Sequence, residues 1–306
     1  MKRGLTCTLC ALGMLVLILD SSTALAGAVD GVSLCMRTLI PGVFPFFVLS
    51  SLVTASLPWG GLVAAGILGG YPVGAKSAAQ AYRSGQLSRT EAGKMATLCN
   101  CPGPAFLFGV VGQIFSPGRT VLLWVVYLCS VVCLWLVMPG TFILSPVRER
   151  FSINDAVSGA VRSMTGVCGW VILMRTLLAV LERWILWLLP LWARTAICGV
   201  LEMTNGILML RGVEEKLRFI LAAGMLGFGG ICVTMQTLGV TQGLSMKAYF
   251  PGKLFQGCVC TVLGSLIITA PLPLPLWGIL VVMSVACVVK LRKIENTYGN
   301  LRAVGV

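Results

Sequence analysis

The sequence predicts an all-α polytopic membrane protein, built from inverted repeats with re-entrant or broken helices and about seven to nine membrane segments. Three observations carry this expectation. Of the 306 residues, 57% are hydrophobic and only 11% are charged, with a mean hydropathy of +0.94. A soluble domain has about 25% charged residues, so this chain cannot build a water-covered surface, and lipid must cover most of its outside. Apolar runs alternate with short basic clusters along the whole chain, and one short motif recurs half a chain apart.

The basic clusters set the path. Lys2 and Arg3 place the N-terminus on the cytoplasmic side, and a first span over Leu5–Ala26 leads outward. Ala24-Leu25-Ala26 has the form of a signal-peptidase site, so cleavage there is an alternative with the same topology. Residues 41–57 are apolar but interrupted by Pro41, Gly42 and Pro45; a full span and a re-entrant hairpin both fit. The next run, 59–75, ends at the cluster Lys76, Arg83, Arg89 and Lys94, which reads as cytoplasmic. That side is reached only if 41–57 makes no net crossing, so 41–57 is expected to be re-entrant. Residues 96–115 then lead out and 119–139 return to Arg148 and Arg150. A Gly-broken run at 166–181 precedes an outward crossing at 184–200, an outer stretch of mixed charge at 202–218 and a return at 219–240 towards Lys247 and Lys253. The last pair, 254–270 and 274–290, ends at the basic tail Lys290, Arg292 and Lys293.

The recurring motif divides the chain. Residues 30–37 read DGVSLCMR and residues 155–162 read DAVSGAVR, both of the form D-x-V-S-x-x-x-R. Each copy precedes a Gly-containing apolar run, and the predicted path starts the two copies on opposite sides. The implied organisation is an N-terminal membrane helix (1–26), two repeats (27–140 and 141–270), and a last membrane helix with a basic tail (271–306). Inverted repeats with helices broken near the midplane are the architecture of secondary transporters.

Composition excludes several classes. The net charge of +13 is distributed between apolar runs, where topology accounts for it, so no nucleic-acid partner is expected. The 13 cysteines include close pairs, but without a single histidine no metal site is expected. The absence of histidine also removes the commonest general base, and no phosphate-binding loop occurs, so no enzyme and no cofactor are expected.

Four segments are candidates for a binding site. GGYPVGAK at 69–76 contains Gly70, Tyr71, Pro72 and Gly74, which cannot continue a regular helix. CNCPGP at 99–104 contributes Asn100, Pro102 and Gly103. Broken backbone at membrane depth is tolerated only where it is covered or lines a cavity. In the second half, LEMTNGI brings Glu202, Thr204 and Asn205, and GFGGICVTMQ brings Gly229, Gly230 and Gln236. Glu202 could bind a coupling sodium ion, carry a coupling proton, or be a solvated loop acid. Arg175 is the most deeply placed charge; it could pair with an acid, snorkel or meet an anion. With Arg37 and Arg162 at matched repeat positions, the excess of positive charge, together with half-helix N-termini, points to a small anionic solute.

PGVFPFF, GGYPVGAK, NCPGPAFLFG, LEMTNGI and GFGGICVTMQ occur here in an order that resembles the YlbJ-type sporulation integral membrane proteins. The resemblance spans about residues 35–270 and implies membership of the wider nucleoside-recognition or Gate group, related to concentrative nucleoside carriers. It implies a permease-like protein made in the mother cell of spore-forming bacteria and associated with dipicolinate movement. Its partners would be the lipid bilayer and a small solute, with a homo-oligomer left open. A membrane assembly protein of spore maturation and a nucleoside carrier are the alternatives.

Overall fold

The computed structural model describes residues 2–56, 61–138, 152–269, 278, 283 and 285–290. The described residues are helical, with no strand among them. Six helices among them are long and apolar enough to cross a membrane. The expected basic turn at Arg148 and Arg150, and the tail at Arg292 and Lys293, lie outside the described residues.

The chain opens with α1 (Lys2–Leu19) and turns at Asp20 into α2 (Ser21–Leu34). The predicted single span over Leu5–Ala26 is therefore two helices. Asp20 is buried, and its Oδ2 accepts the Trp184 indole N–H at 2.9 Å and pairs with Arg183 Nε at 3.3 Å. The peptidase-like Ala24-Leu25-Ala26 lies inside α2, where Gly27 packs against Ala179. From α2 the chain passes through a π-helical turn (Cys35–Leu39) straight into α3 (Ile40–Ser56). The expected re-entrant hairpin at 41–57 is instead the second half of one long helix. A proline inside a helix leaves the carbonyl four residues earlier without its donor. For Pro41 that carbonyl belongs to Arg37, inside the π turn, where the bonding pattern is already shifted.

A second long helix, α9 (Ile153–Trp184), begins at a capping box between Ser152 and Asp155. The expected Gly-break at 166–181 does not occur: Gly166 and Gly169 lie within unbroken helix. The helix packs antiparallel to α2–α3. Contacts step in opposite directions along the two helices, from Gly27 with Thr176, through Gly31 with Ile172 and Cys35 with Cys168, to Phe47 with Ala160 and Met164.

Each long helix is followed by the same succession of elements. A hairpin of two short helices comes first: α4 (Gly61–Gly69) with α5 (Val73–Arg83), and, once the remaining helices of the first half have passed, α10 (Leu191–Leu201) with α11 (Met203–Met209). A broken helix pair comes next: α6 (Arg89–Cys99) with α7 (Pro104–Gly109), and α12 (Glu215–Phe228) with α13 (Gly230–Val240). An unbroken helix closes each half: α8 (Pro117–Val137) and α14 (Tyr249–Thr269). The expected crossing at 184–200 and outer stretch at 202–218 are thus mostly the second hairpin and the start of α12. The arms of each hairpin meet at a glycine pair, Gly66 with Gly74 and Gly199 with Gly206. A Cβ on Gly74 or on Gly206 would meet the opposing backbone, at 2.7 Å from Gly66 Cα and 2.2 Å from Gly199 Cα.

Candidate functional site

Each of the four candidate segments contains an interruption of helix, including the two not expected to be broken, and the four converge. The tip of the first hairpin, at Gly70, approaches the backbone of Gly103 between α6 and α7; a Cβ on Gly70 would lie 2.8 Å from the Gly103 nitrogen. Gly70 has φ +70°, which favours glycine, and the Tyr71–Pro72 peptide that follows it is cis. The second hairpin turns at Glu202, beside Gly230, the first residue of α13; a Cβ on Gly230 would lie 3.2 Å from the Gly199 carbonyl. Gly229, also at positive φ, ends α12 in the left-handed conformation. Tyr71 ties the two halves together, because its hydroxyl donates to the Leu226 carbonyl at 3.3 Å, near the end of α12.

Between these interruptions lies a cavity of about 50 Å³. Gly70, Tyr71 and Gly103 line it from the first half, and Glu202, Thr204 and Gln236 line it from the second. The long helices supply apolar walls: Leu39, Val43 and Phe47 from the first, Met164, Val167 and Val171 from the second. These wall residues were not singled out in the sequence, since nothing distinguishes them locally from lipid-facing residues of the same helices.

Glu202 is the charged group on the lining. It is buried and caps α11: Oε1 accepts Thr204 N–H at 3.0 Å, and Oε2 accepts Asn205 N–H and the Asn205 side-chain amide, each at 2.7 Å. Backbone N–H groups at a helix start and the macrodipole both stabilise a carboxylate there. The reading of Glu202 as a loop acid is thereby corrected. Gln236 is also buried, with its amide N–H directed to Cys232 Sγ at 3.3 Å.

The other predicted residues are placed as follows. Pro72 and Pro102 are buried in the interruptions, and Gly74 packs against the Cys99 carbonyl; none of the three lines the cavity. Asn205 reaches it only through Glu202. Arg175 does not line it: its guanidinium pairs with Asp30 and with Glu182, each at 3.2 Å, and so joins α2 to α9. Arg37 and Arg162 are exposed. The positive charges expected to attract an anion are therefore elsewhere, because acids across the long-helix pair satisfy Arg175 and the arginines of the repeats face outward.

Asn100 is fully buried in a separate polar cluster. Its Nδ2 donates to Thr237 Oγ1 at 2.7 Å and Tyr249 OH at 2.5 Å, and its carbonyl accepts Lys253 Nζ at 2.6 Å. Lys253 itself is fully buried, although its sequence position reads as a cytoplasmic flank. The available signal was Gln256, one helical turn later on the same face.

No family model and no solved structure matches this chain. The chain is 24% identical, over 76% of its length and 74% of the relative's, to the sporulation integral membrane protein YlbJ of Bacillus subtilis (strain 168). With six helices fit to span a bilayer, the chain is an integral membrane protein similar to that sporulation protein.

Proposed function

We propose that this protein is a permease that moves a small polar solute across a membrane during spore formation, in the mother-cell-derived membrane around the forespore. The observation that carries this reading is the convergence of three helix interruptions, helix α13 and both long helices on one cavity holding a buried carboxylate. An ionised or ionisable side chain inside a membrane protein is costly and marks a solute or ion path. A membrane assembly protein has no need of such a group at its centre.

The cavity has room for about one or two waters, far below the roughly 300 Å³ of a small-molecule site. Solute entry therefore requires the hairpins to separate, and the conformation described here is closed. Dipicolinate is the leading solute by family resemblance. The lining refines how it would be carried: Glu202 faces it and, among the described residues, no Lys or Arg lines the cavity. A dianion would meet like charge there, so a dicarboxylate would move together with a proton on Glu202 or on the solute. The same carboxylate and the Gln236 amide suit the hydroxyls of a nucleoside, which is the second reading.

The test is uptake of labelled dipicolinate into vesicles containing purified protein, with uridine as competitor. The expected result is uptake that rises as the outer pH falls, is insensitive to uridine and is lost in Glu202→Gln. Uridine uptake without dipicolinate uptake would assign a nucleoside carrier. Uptake of neither by well-folded protein would favour an assembly role.

A further inference from the structure

The first broken helix has a charged occupant. Helix α6 ends at Cys99, and a helix C-terminus presents unpaired carbonyls and a partial negative charge. The last carbonyls are taken one by one: Leu98 O accepts the Cys101 thiol at 3.2 Å, Cys99 O accepts Cys101 N–H at 3.1 Å, and Asn100 O accepts the Lys253 ammonium at 2.6 Å. The ammonium also donates to Gln256 Oε1 at 2.7 Å. Asn100 Oδ1, on a fully buried residue, has no hydrogen-bond partner among the described residues. Among the described residues no carboxylate pairs with Lys253.

An ammonium buried at membrane depth without a carboxylate is expensive. A neutral donor would satisfy one carbonyl at lower cost, and the other broken helix uses one, since the Tyr71 hydroxyl serves Leu226 O near the end of α12. The charge at the first break therefore answers a charge requirement. In transporters with discontinuous helices, unwound carbonyls and half-helix C-termini hold the coupling cation. We propose that Lys253 is a tethered cation, occupying with its ammonium the position at the end of α6 where a free sodium ion would otherwise bind. The consequence, that solute movement needs no sodium at this break, rests on the permease reading; the occupancy itself does not.

The test is thermal unfolding of purified protein in detergent, in sodium, potassium or choline chloride. Lys253→Ala removes the charge and opens space. It should be less stable than the wild type and should regain about 1–2 °C in sodium over choline, at concentrations several-fold above the dissociation constant. Any sodium response of the wild type, for example at Glu202, serves as the baseline. Lys253→Arg keeps the charge and should show only that baseline. Lys253→Met fills the space without charge and should be destabilised in every salt. A sodium response of Lys253→Ala no larger than that of the wild type would overturn the proposal. So would a Lys253→Met variant as stable as the wild type, because the site would then need no cation. Neither outcome bears on whether dipicolinate is carried.

Discussion

Replacing Gly74 by alanine should disrupt the first hairpin and with it the approach of Gly70 to Gly103. The added Cβ would lie 1.9 Å from the Cys99 carbonyl oxygen, 2.6 Å from its carbon and 2.7 Å from Gly66 Cα. All three are backbone atoms, so no side chain can turn away; α5 would have to withdraw from α4 and α6 by more than an ångström to restore ordinary contact. Overpacking of a tight core costs about 1–3 kcal/mol, and a clash with backbone on three atoms belongs at the upper end. In a chain of this size that corresponds to a fall of about 5 °C in melting temperature. Gly206→Ala meets Gly199 Cα at 2.2 Å and should behave alike. The three atoms nearest a Cβ on Gly199 all belong to the Met225 side chain, which can move, so the loss in Gly199→Ala should be about 1 kcal/mol or less. Gly118→Ala meets nothing within 4 Å and should be neutral. Thermal unfolding in detergent gives the ranking. If Gly74→Ala were as stable as Gly118→Ala, the hairpin arms could not be packed as described.

Glu202→Gln should lose uptake. It should also lose about 1–3 kcal/mol of stability, because the amide cannot accept every N–H that the carboxylate accepts; uptake and unfolding measured on one preparation separate the two effects. Arg175→Gln should leave dipicolinate affinity unchanged and cost about 1 kcal/mol, since its partners Asp30 and Glu182 are partly solvated; a tenfold loss of affinity would return Arg175 to the site. In a cysteine-free background, single cysteines at Ser33 and Ser158 should react with an impermeant reagent from opposite sides. Ser158 lies ten residues along α9 from Cys168, about 15 Å, and Cys168 is level with Cys35, next to Ser33. Labelling from one side would exclude the inverted arrangement.

The breaks were legible in the sequence because their cause is local. Gly70 at positive φ, Pro72, Pro102 and the Gly229-Gly230 pair act through their own backbone, whatever surrounds them. Continuity was not legible. Pro41 and Gly42 look equally disruptive, yet the helix runs through them, because the π turn before them absorbs the proline and the antiparallel contact with α9 holds both sides straight. The error at 41–57 followed from the charge rule, which counts crossings and cannot recognise hairpins elsewhere. That rule also misplaced Lys253. It assumes that a lysine beside an apolar run lies at the membrane surface, and it fails where a buried carbonyl cluster holds the ammonium.

The two halves repeat one order of elements, yet their polar groups are unequal, and the inequality bears on mechanism. In the second half the interruption carries a carboxylate on the cavity lining, held at a helix N-terminus. In the first half the interruption carries a cation behind the lining, held at a helix C-terminus. Each charge sits where the nearby helix dipole favours it. Neither has an ion-pair partner among the described residues, so neither is neutralised by a fixed opposite charge. Lys253 is enclosed by protein carbonyls and is not on the lining; Glu202 is on the lining and can change partners when the hairpins part. A solute or a proton arriving in the cavity can therefore alter the charge balance at Glu202 while the first break stays satisfied. On the permease reading, the second hairpin would be the element that responds to the solute, and the first, pinned through Tyr71 to Leu226, the wall against which it closes.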